Sequence, residues 1–480
     1  MKNIIEMGVL DTLEKIKAKE YSCEQVVKAY LNQIEKTKDK NAILEVFDDC
    51  IENAKKIDQK IANGESLGKL AGVPFIIKDN MLYKGKKATC ASKFLEHFVS
   101  PYTATVVKKL LDNDAIILGR ANMDEFAMGG SNENSAYGLC KNAFDDQRVA
   151  GGSSGGSAVC VACNMCAAAL GTDTGGSVRQ PSSFNGVVGT KPTYGRISRF
   201  GIIAFASSLD QVGPITKNVQ DNAYLLEILS GFDINDQTTR TEVVDTFTED
   251  LNKDISGMKI GYCAELIEMF KNSKEYSHFE NFKKFLIDSG ADLLEVNIPN
   301  INLALPCYYV IAPAEATSNL GRFDGVKYTK RFGTSSDINN LYVESRTQGF
   351  GDEVKRRIML GNYVLSSGYF DAYYTKAKKV QQFIIKGFNQ AFEGCDAIIS
   401  PVTFGEAFKI GEKSKDPVSM YLEDMFTVIA NIASIPAISV PYAKGQNNLP
   451  LGIQILTKQL NEKTMYKLAS FVERNYTEAN

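Results

Sequence analysis

Tryptophan is absent from this 480-residue chain, and histidine occurs only at His97 and His278. The scarcity of histidine excludes more. A serine hydroxyl is a weak nucleophile that needs a base beside it, and the two histidines lie in "FLEHFVSPYT" and the charged "SKEYSHFENFKKFL", which read as surface or packing segments. A Ser-His-Asp triad is therefore not indicated, and no G-x-S-x-G elbow stands between a strand and a helix. Long apolar runs are lacking too: no segment supplies about 18 uncharged apolar residues. The N-terminal "MKNIIEMGVLDTLEKIKAKE" interleaves charge with its apolar residues, unlike a signal peptide. No membrane association and a cytoplasmic location are expected. The formal net charge of -3 offers no large basic field of the kind that phosphate contacts need. Direct nucleic-acid binding is not indicated, although another subunit could supply it.

Ten cysteines are scattered as reduced thiols would be. Cys160, Cys163 and Cys166 form a C-x2-C-x2-C run, but Val, Ala, Asn and Met around them favour close helix packing and no fourth cysteine follows. Core packing is expected there, and no metal.

The length allows two to four domains or one unusually large α/β unit. Residues 4–62 read as several helices. Ser22 is a candidate N-cap with Gln25 in the capping-box position, followed by Val26, Val27, Tyr30, Leu31 and Ile34 at helical spacing. Then the pattern changes. "GVPFIIKDN" predicts a short buried strand with Lys78 at its end, and "AIILG" at 115–119 predicts a second strand after a helix. Further strands are expected in "GMKIGYC", "DLLEVNI", "DAIISPV", "PAISVP" and "LGIQIL", giving α/β layering with a largely buried sheet. "GGSAVCVACNMCAAALG" at 155–171 reads as a buried helix, 232–256 as irregular chain, and 403–420 as an exposed loop.

Two glycine-serine loops carry the chemical interest: "AGGSSGGSA" at 150–158 and "GTDTGGS" at 171–177. Such runs suit tight turns whose amides converge on a negative centre. A phosphate loop of the Walker type is excluded because its lysine is missing. In place of histidine, a lysine could act as base if burial removed its charge, and Lys78 follows an apolar strand capable of this. Its neighbour Asp79 must then point elsewhere, as strand alternation allows. Two readings stand. Either both loops are structural glycine turns and Lys78 is structural, or Ser177 is a nucleophile, Ser153 a relay and Lys78 the base. In the second, amides around Thr174, Gly175 and Gly176 would face a developing oxyanion.

The ordered blocks "LAGVPFIIKDN", "GGSSGGSA", "GTDTGGSVRQP" and "GVVGTKPTYGRISRFGIIAFASSLDQVGP" resemble the amidase signature family. The resemblance implies a Ser177-Ser153-Lys78 triad with a cis bond before Ser153. It also implies an oxyanion hole from Thr174, Gly175, Gly176 and Ser177, on a large mixed central sheet covered by helices on both faces. Residues 1–65 are expected to form a helical segment packed on a catalytic domain at 66–480. Later blocks extend the likeness over nearly the whole chain: "GRANMDEFAMGGSNENSAYG", "PAEATSNLGRFDGVKY", "GFGDEVKRRIMLGNYVLSSGYFDAYYTKA" and "FKIGEKSKDPVSMYLEDMFTVIANIASIPAISVP". They are similar to the branch of the family formed by glutamine-hydrolysing subunits of tRNA-dependent amidotransferases.

That likeness implies glutamine as ammonia donor, with Asp424 taking its amino group and Arg357, or the adjacent Arg356, its carboxylate. Gly129 and Tyr309 are further pocket candidates. In isolation Asp424 and Arg357 read as surface helix charges and Tyr309 as a packed aromatic. No cofactor is expected on this chain. ATP and Mg are expected in a larger B subunit, which with a small C subunit would complete a heterotrimer and make most contacts to Glu-tRNA(Gln), and possibly Asp-tRNA(Asn). A stand-alone amidase and a catalytically silent scaffold are the alternatives. Two stretches depart from the family. "KNAFDDQRVAGG" replaces an Asn-Pro-Trp-like stretch, and Phe144 is expected to fill part of the missing aromatic's space; "SPVTFGEAFKIGEK" replaces a loop rich in proline and threonine.

Overall fold

The computed structural model describes residues 3–327, 329–413 and 416–476; Tyr328, Ser414 and Lys415 of the motif blocks lie outside the described residues. The β-rich runs pair into one mixed sheet of eleven strands. In chain order these are β1 (Ile43–Val46), β2 (Pro74–Lys78), β3 (Ile116–Ala121), β4 (Ala168–Asp173), β5 (Val188–Lys191), β6 (Gln211–Thr216), β7 (Lys259–Cys263), β8 (Asp292–Val296), β9 (Ala397–Pro401), β10 (Ala437–Lys444) and β11 (Pro450–Leu456). Their spatial order is β1-β3-β2-β4-β6-β5-β10-β11-β9-β7-β8. β2 runs parallel to β3 and β4, as do β7 to β8 and β9, while the remaining pairs are antiparallel. Helices flank the sheet, so β2, β3 and β4 are buried along their whole length, as parallel strands require. Among the described residues no helix is long and apolar enough to cross a membrane.

Ser22 caps the helix Cys23–Lys36 as its sequence predicts: the Gln25 amide donates to Ser22 Oγ at 3.1 Å, and the Ser22 amide to Gln25 Oε1 at 2.9 Å. The all-helical reading of 4–62 needs correction, because Ile43–Val46 forms β1 and pairs antiparallel with β3. Four residues between two strong helices carry too little alternation to announce a strand. The buried helix expected over 155–171 is also shorter than that. It ends at Ala162, Asn164 turns the chain at φ 57°, and residues 168–173 become β4. Small side chains at 168–171 look helical in sequence; at the sheet centre they let flanking elements approach. A Cβ on Gly171 would lie 2.8 Å from Ser154 Oγ.

The loop over 403–416 is less exposed than expected. Ala407 and Phe408 are buried and form a small cluster with Val149 and Phe184. Phe184 and Phe408 meet edge to face there, whereas Phe144 is 58% exposed and does not fill the vacated aromatic space. The irregular chain between the helix Val219–Leu229 and β7 is as read.

Gly119 is where β1 closes on β3: a Cβ there would lie 2.1 Å from the Glu45 carbonyl oxygen. Gly119→Ala is therefore expected to part these strands. Limited proteolysis checks this, with faster cleavage near residues 43–46 than in the wild type.

Candidate active site

The apolar residues of β2 carry Lys78 into the interior, where its side chain has no solvent exposure. Its Nζ lies 2.7 Å from Ser153 Oγ, 2.8 Å from Ser154 Oγ, 2.9 Å from Thr172 Oγ1 and 3.3 Å from the Thr172 carbonyl oxygen. No carboxylate hydrogen-bonds to it among the described residues. Burial pushes the amine down to about 7, against the opposing charges of Asp124, Asp173 and Asp210. Asp79 does point away, as strand alternation predicts. It accepts from Arg120 Nη1 at 2.6 Å and from the Thr89 and Ala91 amides at 3.0 and 2.8 Å. Neither histidine approaches: His97 is exposed beside Glu96, and His278 lies beside Glu275.

The serine loop is held from several sides. The Gly152–Ser153 peptide bond is cis. The Gly152 amide donates to Gln180 Oε1 at 2.9 Å, and the Ser154 amide donates to the Ser177 carbonyl at 3.0 Å, joining the two glycine loops. The Gly156 amide is engaged by the Asn122 carbonyl. Amides committed in this way leave no phosphate cradle, in keeping with the missing lysine of the Walker pattern.

Ser177 follows β4 on a turn stabilised by Asp173. That carboxylate accepts from the Gly176 and Val178 amides at 2.9 and 3.1 Å, from Asn431 Nδ2 at 2.9 Å, and from Arg179 Nε and Nη2 at 3.0 and 2.9 Å. Burial would raise its pKa, but the Arg179 charge and hydrogen bonds outweigh this and hold the carboxyl well below its usual range. The Gly176 amide is thus occupied. Those of Gly175 and Ser177 have no acceptor among the described residues, and the Thr174 hydroxyl donates to Asp210 Oδ1 at 2.7 Å. Glycine is required at 175, since a Cβ would lie 2.6 Å from Tyr308 Cζ.

A second group of residues gathers near this turn. Arg357, on the helix Asp352–Leu365, is buried, whereas Arg356 is exposed. The Arg357 guanidinium packs over the rings of Tyr421, Tyr309 and Phe205, 5.4–5.6 Å from their centroids. Its Nε donates to Glu353 Oε1 at 2.8 Å. The Tyr309 hydroxyl donates to Asp424 Oδ2 at 2.7 Å. Burial raises Asp424 to about 7, against the Tyr309 hydrogen bond and the Arg357 charge. Gly129 (φ 155°) packs on Asp124, while its neighbour Gly130 is nearer Asp424: a Cβ there would stand 4.0 Å from Asp424 Oδ1. Sequence reasoning missed Ser154, Thr172, Gln180, Glu353 and Tyr421. Of these only Glu353 left a signal, four residues before Arg357 on one helix face.

The model of the family described as amidase matches residues 25–466. The chain belongs to the amidase family. Within that family, it is 46% identical over 480 residues to the A subunit of glutamyl-tRNA(Gln) amidotransferase of Fusobacterium nucleatum subsp. nucleatum, covering 100% of this chain and 98% of that one. It is 49% identical over 466 residues to the A subunit numbered 1 of glutamyl-tRNA(Gln) amidotransferase of Clostridium acetobutylicum, covering 96% of each. The crystal structure of the glutamyl-tRNA(Gln) amidotransferase A subunit from Thermotoga maritima superposes with a TM-score of 0.83 at 40% identity, covering 99% of this chain and 96% of that one. Among the described residues no group of three or more His, Cys, Asp or Glu side chains is placed to hold a metal ion; Cys160 and Cys166 are buried in the core.

Asp173→Asn removes the counter-charge from a fully buried guanidinium and is expected to cost about 3–5 kcal/mol. Because the folded-state pKa of Asp173 is depressed, its contribution is present above the unfolded value of about 3.9 and lost as pH falls through the folded one. Denaturant titration of wild type and variant checks both statements: the stability difference should be full at pH 7 and shrink in acid.

Proposed function

We propose that this chain is the glutamine-hydrolysing subunit of an amidotransferase that acts on Glu-tRNA(Gln) or Asp-tRNA(Asn). The observation that carries the proposal is the buried amine of Lys78, 2.7 Å from the Ser153 hydroxyl and paired with no carboxylate among the described residues. A neutral amine has two protons and one lone pair. Ser154 directs its own proton to the Thr172 carbonyl at 3.1 Å, and Thr172 Oγ1 already accepts from Asn80 Nδ2 at 3.0 Å. The amine therefore donates to these two oxygens, and its lone pair faces the Ser153 proton.

In the reaction, Ser177 Oγ attacks the side-chain carbonyl carbon of glutamine while its proton passes to Ser153 and the Ser153 proton to Lys78. The amides of Gly175 and Ser177 stabilise the oxyanion in this reading. As the carbon–nitrogen bond breaks, the proton held on Lys78 returns through Ser153 to the leaving nitrogen. Ammonia departs and a glutamyl ester remains on Ser177. Water, deprotonated by the same relay, attacks the ester carbonyl and releases glutamate. Asp424 with Tyr309 takes the α-ammonium of glutamine, and Arg357 takes its carboxylate. Gly129 serves this pocket by letting the loop pass close over Asp124.

The ammonia then reaches an aminoacyl-tRNA carboxyl on a larger B subunit, which would hold ATP, Mg and most of the tRNA, with a small C subunit completing the complex. The names of the relatives support this assignment. Residues 1–65 we read as packed on the body at 66–480 and continuous with it, supported by the ladder from β1 to β3 and by the Tyr30 hydroxyl donating to the Met7 carbonyl.

In the assembled enzyme, ammonia release from glutamine should rise with pH, reach half its plateau near the Lys78 value of about 7, and fall tenfold per unit in acid. A profile flat from pH 5 to 9 would reject the lysine as base. Lys78→Met is expected to lower kcat by roughly 10²–10⁴ with little change in the KM for glutamine. Labelled glutamine should leave an acid-stable adduct on Ser177 that Ser177→Ala lacks. Intact assembly with no adduct on the wild type identifies a silent scaffold, and rapid unassisted turnover of other amides identifies a stand-alone amidase.

A further inference from the structure

Two tyrosine–carboxylate pairs bracket one guanidinium. The Tyr309 hydroxyl donates to Asp424 at 2.7 Å, and the Tyr421 hydroxyl donates to Glu353 Oε1 at 3.1 Å. The two rings stack with centroids 4.1 Å apart and planes 25° apart, and Arg357 lies over both. Only one of the two carboxylates takes part in binding glutamine as described so far. Glu353 is the single carboxylate hydrogen-bonded to Arg357 among the described residues, and it does so through Nε, on the group that must also receive the substrate's carboxylate. The same side chain lines a polar cleft of about 450 Å³ together with Glu125, Glu133, Asn134 and Gly351. It therefore faces the buried cation on one side and open space on the other.

We propose that Glu353 is a specificity-determining residue of this pocket, which makes it accept an α-amino acid headgroup carrying both charges and reject one that is only anionic. The proposal rests on the reading of Arg357 and Asp424 as the headgroup site for glutamine. Net charge decides between the two headgroups. With both acids ionised, Arg357, Glu353 and Asp424 sum to one negative charge. A zwitterion leaves that sum unchanged, whereas a headgroup with a carboxylate and no ammonium adds a second negative charge to a site shielded from water. Without Glu353 the pocket would be neutral before binding, and Arg357 would hold any carboxylate of the right length. Glu353 thus sets a repulsive element beside the attractive one, the arrangement by which sites discriminate between ligands sharing one recognised group. The Tyr421 hydroxyl and the exposed Arg356, which also pairs with Glu353, hold the carboxylate in place.

The test compares ammonia release by the assembled enzyme from glutamine and from glutaramate, which is glutamine without its α-amino group. Wild type should prefer glutamine strongly in kcat/KM. Glu353→Gln should narrow that preference by about tenfold, chiefly through a lower KM for glutaramate, and Glu353→Asp should restore most of it. A residue that merely holds Arg357 in place would change both substrates in parallel. An unchanged ratio in Glu353→Gln therefore overturns the proposal. If that variant does not fold, Tyr421→Phe carries the same comparison: a ratio narrowed by about twofold supports the proposal, and an unchanged one overturns it. Failure of the wild type to release ammonia from glutamine would instead overturn the reading on which the proposal rests.

Discussion

Burying the Lys78 amine removes the water that would stabilise its ammonium form, and the acidic side chains around it could undo this by pairing with it. Each is committed to other donors. Asp79, the next residue, is bound by Arg120 and by the left-handed turn at Cys90 and Ala91, whose φ values are both 50°. Asp173 is locked by Arg179 and Asn431, Asp210 by the Thr174 hydroxyl and the Phe205 and Ala206 amides, and Asp124 by the Asn132 and Asn134 amides. The backbone strain at Cys90 and Ala91, of order 1–3 kcal/mol per residue, is the cost of turning one carboxylate away. A lysine surrounded by hydroxyls is an outcome of how its acidic neighbours are satisfied.

The same contacts join the two ends of the site. Thr427 Oγ1 donates to the Gly175 carbonyl at 2.6 Å, and Arg179 Nη1 donates to the Thr427 carbonyl at 2.8 Å. Thr427 stands three residues after Asp424, and Tyr308, against which Gly175 lies, immediately precedes Tyr309. The segments that position the headgroup residues therefore also form the wall behind the Ser177 turn. A displacement of Asp424 or Tyr309 is transmitted to that turn through packed backbone rather than through solvent. This geometry accounts for motifs far apart in the chain belonging to one site.

How much of this was legible in the sequence depended on whether a feature was local. Strands rich in β-branched residues, such as β2 and β3, announce themselves, and so does Lys78 at the end of one. β4, β5 and β6 do not, because small residues and glycine at the sheet centre answer to the approach of neighbours: a Cβ on Gly213 would lie 2.0 Å from the Thr190 carbonyl oxygen. The relay residues Ser154 and Thr172 were hidden for a related reason. Their relevance comes from β4 lying beside β2, a pairing that no local pattern encodes. The expectation for Phe144 failed because loss of a large aromatic is answered by whichever ring the backbone can bring in, and here Phe184 and Phe408 meet instead.

Adjacent arginines at 356 and 357 could not be told apart by residue type, yet a helix turns by about 100° between them. Val354, Arg357, Ile358, Gly361 and Val364 are buried at the spacing of one inward face, and Arg356 falls off it. The closeness of that face to its neighbour decides the matter further: a Cβ on Gly361 would lie 2.1 Å from the Pro313 carbonyl oxygen. Pro313 belongs to the helix Ala304–Leu320, which also carries Tyr308 and Tyr309. The absence of a side chain at 361 lets the two helices meet, and their meeting brings the Arg357 guanidinium onto the Tyr309 ring. The cation is thus aligned by a glycine one turn away that makes no contact with it.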